Sequence, residues 1–221
     1  MHFLLLGASG RSGKLVIEEA LERGHTITAL VRNTSSLPVK KGVTIVQGTP
    51  LQKEDITKAF KATPSPPTAV LTTLSSVRTS DSPFAAPVSP PRMMADANSN
   101  VIAVMKQYGV HKIVIMQAFG TGDSLKNLFW PMQILMKHSG MNRSMQDHDI
   151  TDKEVKESGV TFVMARPAML NDGEKMPLKF WGNTGRGSGM IPSVSRKSVA
   201  AFLLDALEKD TWDGTTPVVS N

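Results

Sequence analysis

The stretch GASGRSG, residues Gly7 to Gly13, decides the fold that this sequence predicts. A short apolar run, His2–Leu6, precedes it, and helical periodicity follows it from Lys14 to Arg23. Glycines let a chain reverse sharply and let its backbone approach a pyrophosphate, toward which the next helix directs its free N–H groups. Because a dinucleotide-binding turn requires this strand–turn–helix context, we expect the stretch to bind a dinucleotide.

The rest of the chain alternates between strand-like and helix-like segments. The predicted strands are Thr26–Val31, Val43–Gln47, Thr68–Leu74, Lys112–Ala118, Val160–Ala165 and Pro217–Ser220. The predicted helices are Lys53–Lys61, Met93–Tyr108, Asp147–Ser158 and Ser195–Lys209. This alternation predicts the α/β class, with one Rossmann-type, doubly wound, mostly parallel sheet and helices on both faces. We interpret residues 1–221 as a single domain with substrate-covering loops at about 75–91, 119–145 and 169–192.

Composition excludes several kinds of site and partner. The chain has no cysteine, which excludes disulfides, thiolate metal sites and cysteine nucleophiles, and we predict no metal site. The net charge of +6 is dispersed among acidic neighbours and the chain has one tyrosine, so nucleic-acid binding is not expected. No stretch approaches the ~20 apolar residues of a membrane span, and we expect a cytoplasmic protein without a membrane partner.

The residues after the second predicted strand indicate which dinucleotide is bound. Sites that prefer NAD place an Asp or Glu about 20 residues beyond the glycines, where it accepts a hydrogen bond from the ribose. This sequence has Arg32 there, followed by Asn33, with no acid beside them. A guanidinium suits a 2′-phosphate, so NADP(H) is the expected cofactor. The alternative for Arg32 is a solvated arginine at a strand end.

A second glycine cluster, Gly182 to Gly189, lacks the context of the first. The sequence predicts neither a strand before it nor a helix directly behind it. We therefore predict a flexible surface loop, with a lid over the substrate as the alternative.

Further motifs along the chain occur together in one known group of proteins. They are Leu5–Gly13, Ala29–Asn33, Val104–Val114, Glu157–Val160, Ala165–Ala168 and Val194–Leu204. Together they resemble the atypical short-chain dehydrogenase/reductase superfamily, specifically its NmrA-like and biliverdin reductase B (flavin reductase)-like branch. The resemblance implies a Rossmann core, bound NADP(H) and a substrate held over the nicotinamide.

The resemblance also implies which residues contact the cofactor. Those expected at the pyrophosphate region are Gly7, Ser9, Gly10, Arg11, Ser12 and Gly13. Arg32 and Asn33 are expected beside the 2′-phosphate, Leu74 and Ser75 along the cofactor, and Pro167 and Ala168 near the nicotinamide amide. One departure is Gly48-Thr49, where such proteins have Gly-Asp with the acid facing adenine, so a hydrogen bond to adenine is expected to be lost.

The catalytic pair of the wider superfamily is Tyr-x-x-x-Lys, and this chain contains that spacing at Tyr108 and Lys112. We interpret it as structural. Gly109 and Val110 form the turn into the fifth strand, so Tyr108 lies at the amino end of that strand, whereas cofactors lie at carboxyl ends. No other tyrosine is present to donate a proton.

The remaining candidates for catalysis are Gln117 and His148. Gln117 follows the fifth strand and is predicted to orient a substrate carbonyl. His148 lies at the start of the helix predicted from about Asp147, and we expect it to titrate near neutrality with support from a flanking carboxylate. The alternative is that His148 is solvated and Asp147 caps the helix. The Met-rich segment between them suits a pocket for a bulky apolar ligand, and core packing is its alternative.

Three functions are compatible with these residues. We favour an NADPH-dependent oxidoreductase acting on a hydrophobic conjugated or aromatic small molecule, such as a flavin, quinone or secondary-metabolite intermediate, with water completing protonation. The second is an NmrA-like dinucleotide sensor that binds a protein partner without turnover. The third is a non-redox isomerase or cyclase on the same fold.

Overall fold

The computed structural model describes residues 1–80, 82 and 84–221; positions 81 and 83, within the predicted loop at 75–91, lie outside the described residues. The strands are β1 His2–Leu6, β2 Thr26–Val31, β3 Val43–Gln47, β4 Ala69–Thr72, β5 Lys112–Met116, β6 Thr161–Pro167, β7 Met169–Asn171, β8 Lys179–Phe180, β9 Ser193–Ser195 and β10 Val218–Ser220. The helices are α1 Arg11–Glu22, α2 Lys53–Phe60, α3 Met93–Gln107, α4 Trp130–His138, α5 Asn142–Glu157 and α6 Arg196–Glu208.

Eight of the strands form one sheet in the order β3-β2-β1-β4-β5-β6-β10-β8. Its neighbouring strands run parallel except for β8, which pairs antiparallel with β10. From β1 the sheet extends through β2 and β3 on one side and through β4, β5 and β6 on the other, so the strand order reverses between β1 and β4. Ligands of open α/β sheets bind at such a switch point. The predicted doubly wound α/β fold is confirmed.

The sheet separates two hydrophobic cores because successive strand residues point to opposite faces. In β1, Phe3 and Leu5 pack against α1 and α6, whereas Leu4 and Leu6 pack against α2, α3 and α5. Helices therefore cover both faces, and these strands are buried on each side. This double coverage explains why they are continuous apolar runs rather than alternating ones.

Three parts of the chain differ from the prediction. The fourth helix, α4, and a 3-10 turn at Gly122–Asn127 lie in the predicted loop at 119–145, and β7 and β8 lie in that at 169–192. Helix α5 begins at Asn142, five residues before the predicted Asp147. The buried Asp147 accepts hydrogen bonds from the backbone N–H groups of Met94 and Ala95, at 2.8 and 2.9 Å, so it caps α3 rather than its own helix.

Candidate functional site

The glycine turn between β1 and α1 has no room for a Cβ atom at two of its positions. Gly7 has a φ of 83°, and a Cβ there would lie 2.7 Å from the Thr73 backbone. A Cβ on Gly13 would lie 2.2 Å from the Gly7 carbonyl oxygen, which also accepts the Gly10 N–H at 3.0 Å. Contacts this short are incompatible with packed atoms, so both positions require glycine. The turn brings the start of α1 against the end of β4.

The start of α1 is open toward this turn. Gly10 is the N-cap in extended conformation, and within the described residues no side chain caps the helix. Its first N–H groups and its dipole therefore favour an anionic partner. Among the predicted contacts in the first turn, Ser12 and Gly13 are buried, while Ser9 and Arg11 are exposed. A glycine cradle with an open helix start fits a dinucleotide pyrophosphate.

Two cavities adjoin this turn at the carboxyl ends of β1, β4, β5 and β6. The first, about 490 Å³, is lined by Gly10 and Ser12 and is called the turn cavity. The second, about 670 Å³, is lined by Pro167 and Ala168 and is called the methionine cavity. The residues that line both are Arg11, Arg78, Ala118, Met136, Met141, Leu170 and Arg196. The two cavities therefore form one cleft.

The methionine cavity has apolar walls from segments far apart in the chain. Five methionines line it, namely Met132, Met136, Met141, Met169 and Met190. Flexible thioether side chains adapt to the shape of a bulky apolar ligand. A recess of about 700 Å³ elsewhere, on β3 and α2, is lined by none of the glycine-turn residues, so the cleft is the better candidate site.

Gln117 and His148 form a buried pair in the cleft. The Gln117 Oε1 accepts a short hydrogen bond from the His148 Nδ1, and the Gln117 Nε2 lies 3.8 Å from the Met164 sulfur. His148 lines the turn cavity and Gln117 the methionine cavity. Since an amide oxygen only accepts, Nδ1 carries the hydrogen and Nε2 of the neutral ring is an acceptor. The pair joins the two halves of the cleft.

The expectation that His148 titrates near neutrality is wrong. Burial lowers the pKa of its imidazole from 6.5 to about 4, because desolvation disfavours the charged ring. The flanking Asp147 does not support the charge, since its carboxylate faces the start of α3. His148 lies in the second turn of α5 rather than at its start. A neutral ring with Nε2 as acceptor cannot donate a proton to a substrate.

Comparison with known proteins identifies the family. A family model described as NAD(P)H-binding matches residues 7–210, most of the chain. The chain belongs to this NAD(P)H-binding family. A 37-residue segment is also 46% identical to the protein YwnB of Bacillus subtilis (strain 168), and it covers only 17% of that protein and of this chain.

Solved structures share the fold of this NAD(P)H-binding protein over its whole length. ChuY, an anaerobillin reductase from Escherichia coli O157:H7, has a TM-score of 0.78 at 17% identity, with 100% of this chain and 97% of that chain covered. A short-chain dehydrogenase/reductase from Veillonella parvula has a TM-score of 0.76 at 14% identity, covering 100% and 94%. The oxidoreductase ylbE from Lactococcus lactis has a TM-score of 0.73 at 14% identity, with 100% of this chain and 91% of that chain covered. At such identities the likeness concerns the fold.

The predicted cofactor residues beyond the glycine turn lie in different settings. Arg32 is exposed at the end of β2, and the Asn33 side chain accepts from the Ser35 N–H at 3.0 Å, which caps a short 3-10 turn. Ser75 lines the turn cavity, whereas Leu74 packs against a hydrophobic core. Arg32 and Ser75 are therefore open to a ligand, and Asn33 and Leu74 also have structural contacts.

The turn after β3, where the expected acid is missing, is contacted by a carboxylate from α2. The Asp55 Oδ2 accepts the Thr49 N–H at 2.8 Å, and its carboxyl carbon packs against Gly48. Asp55 belongs to α2, so sequence position alone did not reveal it. This carboxylate holds the turn after β3.

Tyr108 and Lys112 lie at the opposite edge of the sheet from the cleft, as predicted. Tyr108 caps the end of α3, and its ring lies 5.1 Å from that of Phe60. The Lys112 Nζ at the start of β5 pairs with Asp213 at 2.7 Å. These contacts are structural.

The second glycine cluster is a mostly exposed loop, as predicted, and its first residues are hydrogen-bonded to the domain body. The Gly182 carbonyl accepts the Val218 N–H at 2.8 Å, and the Asn183 Oδ1 accepts the Thr216 N–H at 2.9 Å. The short strand β8 also precedes the cluster, which the sequence did not indicate. After Gly189 the chain continues to Met190 and Ile191, which line the methionine cavity.

Sequence reasoning missed a buried arginine beside the site. Arg166 in β6 is fully buried and donates to Asp152 at 2.8 Å, Asp123 at 2.6 Å and the Asn183 carbonyl oxygen at 2.7 Å. These bonds join α5 to the second glycine cluster. The motif Ala165–Ala168 contained Arg166, but its partners come from three separate segments and only the fold brings them together.

None of the helices described in residues 1–80, 82 and 84–221 has the length and apolar character needed to cross a bilayer.

Proposed function

We propose that this NAD(P)H-binding protein is an NADPH-dependent oxidoreductase that reduces a hydrophobic conjugated or aromatic small molecule, such as a flavin, a quinone or a secondary-metabolite intermediate. The observation that carries the proposal is the continuity of the glycine turn with an apolar, methionine-lined cavity. When bound, the cofactor supplies a hydride. A cavity of about 670 Å³ is of the size that holds such a molecule.

The chain's own groups are assigned to binding and orientation. Among the described residues, the acceptor of the Gln117 Nε2 is a thioether, which accepts hydrogen bonds weakly. In the proposed complex this Nε2 donates to a substrate carbonyl oxygen. His148 fixes the amide by holding the Gln117 Oε1 through Nδ1. His148 is thus a positioning residue. The proton that completes the reduction comes from water, because conjugated acceptors do not require a side-chain acid.

The preference for NADPH rests on Arg32. It is exposed directly after β2, the strand that pairs with β1 beside the glycine turn. A guanidinium at this place favours a 2′-phosphate over a hydroxyl group. The next residue is Asn33, which has no carboxylate that would repel the phosphate.

The reductase is tested by measuring loss of NADPH absorbance with a panel of flavins and quinones. We expect steady turnover with at least one of them, and the absence of turnover across the panel contradicts the proposal. In Gln117→Leu we expect kcat/KM to fall about tenfold, the value of one hydrogen bond, while NADP+ binding is retained. The matched control is Gln107→Leu, at an exposed position at the end of α3.

A dinucleotide sensor is the second candidate, favoured by apolar exposure near the cleft. Met190 and Ile191, which line the methionine cavity, are 68% and 64% exposed, and Trp130 at the start of α4 is 66% exposed. Such side chains suit a protein partner. Binding of NADP+ and NADPH with a protein partner and without turnover on the panel would favour this function, and steady turnover excludes it.

A further inference from the structure

The cleft carries positive charge that hydride transfer to an uncharged ring does not require. Arg11, Arg78 and Arg196 line both of its cavities. Among the described residues that line the cleft, Asp172 is the only carboxylate, and it belongs to the methionine cavity alone. An otherwise apolar cavity with an excess of guanidinium groups favours a ligand that has an anionic group.

Arg196 is the best placed of the three. It is the first residue of α6, and only 8% of its surface is exposed. Its Nη1 donates to the Asp172 Oδ1 at 2.6 Å, and the Asp172 side chain is 71% exposed, so water weakens that ion pair. Within the described part of the chain, Asp172 is the only partner of this guanidinium, which has five N–H donors. A nearly buried cation with donors to spare favours a second anion.

Arg78 contributes from a separate segment. It lies in a narrow hairpin after β4, in which the Val88 N–H donates to the Val77 carbonyl oxygen at 2.8 Å. The Arg78 Nη1 donates to the Ser82 carbonyl oxygen, a neutral acceptor, at 2.9 Å, and none of the carboxylates in residues 1–80, 82 and 84–221 pairs with it. Both arginines therefore bring charge to the same cleft.

We propose that Arg196 and Arg78 bind a carboxylate or phosphate group of the substrate, an inference that rests on the reductase function proposed above. The substrate class then narrows to an apolar conjugated ring system with an acidic substituent. The anion is assigned to the substrate rather than to the cofactor because both arginines also line the methionine cavity, whose other walls are mainly apolar. The pyrophosphate of the cofactor is assigned to the start of α1, so it does not need these arginines.

The test is a binding measurement on the NADP+-loaded protein with two matched pairs of ligands. Anthraquinone-2-carboxylate and its carboxamide differ in charge on one ring system, and FMN and riboflavin differ by a phosphate. We expect the anionic member of at least one pair to bind about tenfold more tightly, and the pair that responds identifies the anion. In Arg196→Met this preference is expected to disappear.

The control is Lys197→Met, which removes a neighbouring charge and its pairing with Glu174 without touching the cleft. It is expected to keep the preference. Equal binding within both pairs overturns the proposal, as does a preference that survives in Arg196→Met. An equal weakening of NADP+ in that variant also overturns it, because the anion is then the cofactor's phosphate.

Failure of the anion site and failure of the proposed reductase give different experimental results. A charge preference without NADPH oxidation supports the anion site and contradicts the reductase. Turnover of neutral acceptors without any charge preference supports the reductase and contradicts the anion site.

Discussion

The buried imidazole of His148 makes the stability of the protein depend on pH in a direction that can be worked out. Burial lowers its pKa from 6.5 to about 4 in the folded state, so between these values the unfolded chain binds a proton that the folded chain does not. The stabilisation is complete above about 6.5 and is lost as the pH falls toward 4. One pKa unit is worth about 1.4 kcal/mol, so the loss is roughly 3 kcal/mol.

The perturbation that isolates this effect is His148→Asn. The asparagine Nδ2 can still donate to the Gln117 Oε1, so the buried hydrogen bond is retained while the titrating ring is removed. Free energies of unfolding come from urea titrations followed by tryptophan fluorescence, at pH values from neutral down to about 4. The wild-type advantage over the variant should shrink by roughly 3 kcal/mol over this range.

Two controls accompany the measurement. His138→Asn makes the same replacement at an exposed histidine, and it should not reproduce the change of roughly 3 kcal/mol. Burial also raises the pKa of Asp149, but that carboxyl is present in both proteins, so its contribution cancels in the difference. Parallel stability curves for the wild type and His148→Asn would refute the reasoning, because the ring would then titrate alike in the folded and unfolded states.

Three further substitutions test the cofactor site and the structural tyrosine. Arg32→Glu should weaken NADP+ binding by about tenfold or more and leave NAD+ binding less affected, measured by calorimetry; equal loss of both contradicts a 2′-phosphate contact. Gly13→Ala places a Cβ 2.2 Å from the Gly7 oxygen, and should abolish dinucleotide binding and destabilise the fold by about 1–3 kcal/mol in thermal melts. Tyr108→Phe should leave kcat within about twofold, whereas a loss of about 100-fold would indicate proton transfer.

The glycine turn and the first strands could be predicted from sequence because their causes are local. The bounds of β1, β2 and β3 agree with the predicted ones, since each is an apolar or β-branched run ended by polar or glycine residues. Gly13 must be glycine because a Cβ there would meet Gly7 and Ala8 in the same turn. Gly7 is favoured locally by its φ of 83°, although the atoms that a Cβ there would meet belong to Thr73. Short-range causes leave a signature in the sequence.

The start of α5 could not be predicted because its misleading residue serves another element. An Asp at this position favours a cap for the helix that follows it, which is the alternative given above, but Asp147 caps α3, about 50 residues away in the chain. The same carboxylate, once engaged there, cannot support a charge on His148. One long-range contact therefore explains both the misplaced helix start and the wrong expectation for the imidazole.

The residues that line the cleft show why its chemistry could not be predicted from the sequence without the fold. Met136 is buried and Met190 is exposed, yet both line the same cavity, so residue type does not distinguish core from pocket. Arg196 begins a helix whose sequence indicates only that it packs on the sheet. The role proposed for it depends on Asp172, with which it pairs, and on Arg78, which lines the same cleft after β4. In this fold the carboxyl edge of the sheet brings together residues that lie far apart in the sequence, and the proposed anion site depends on that placement.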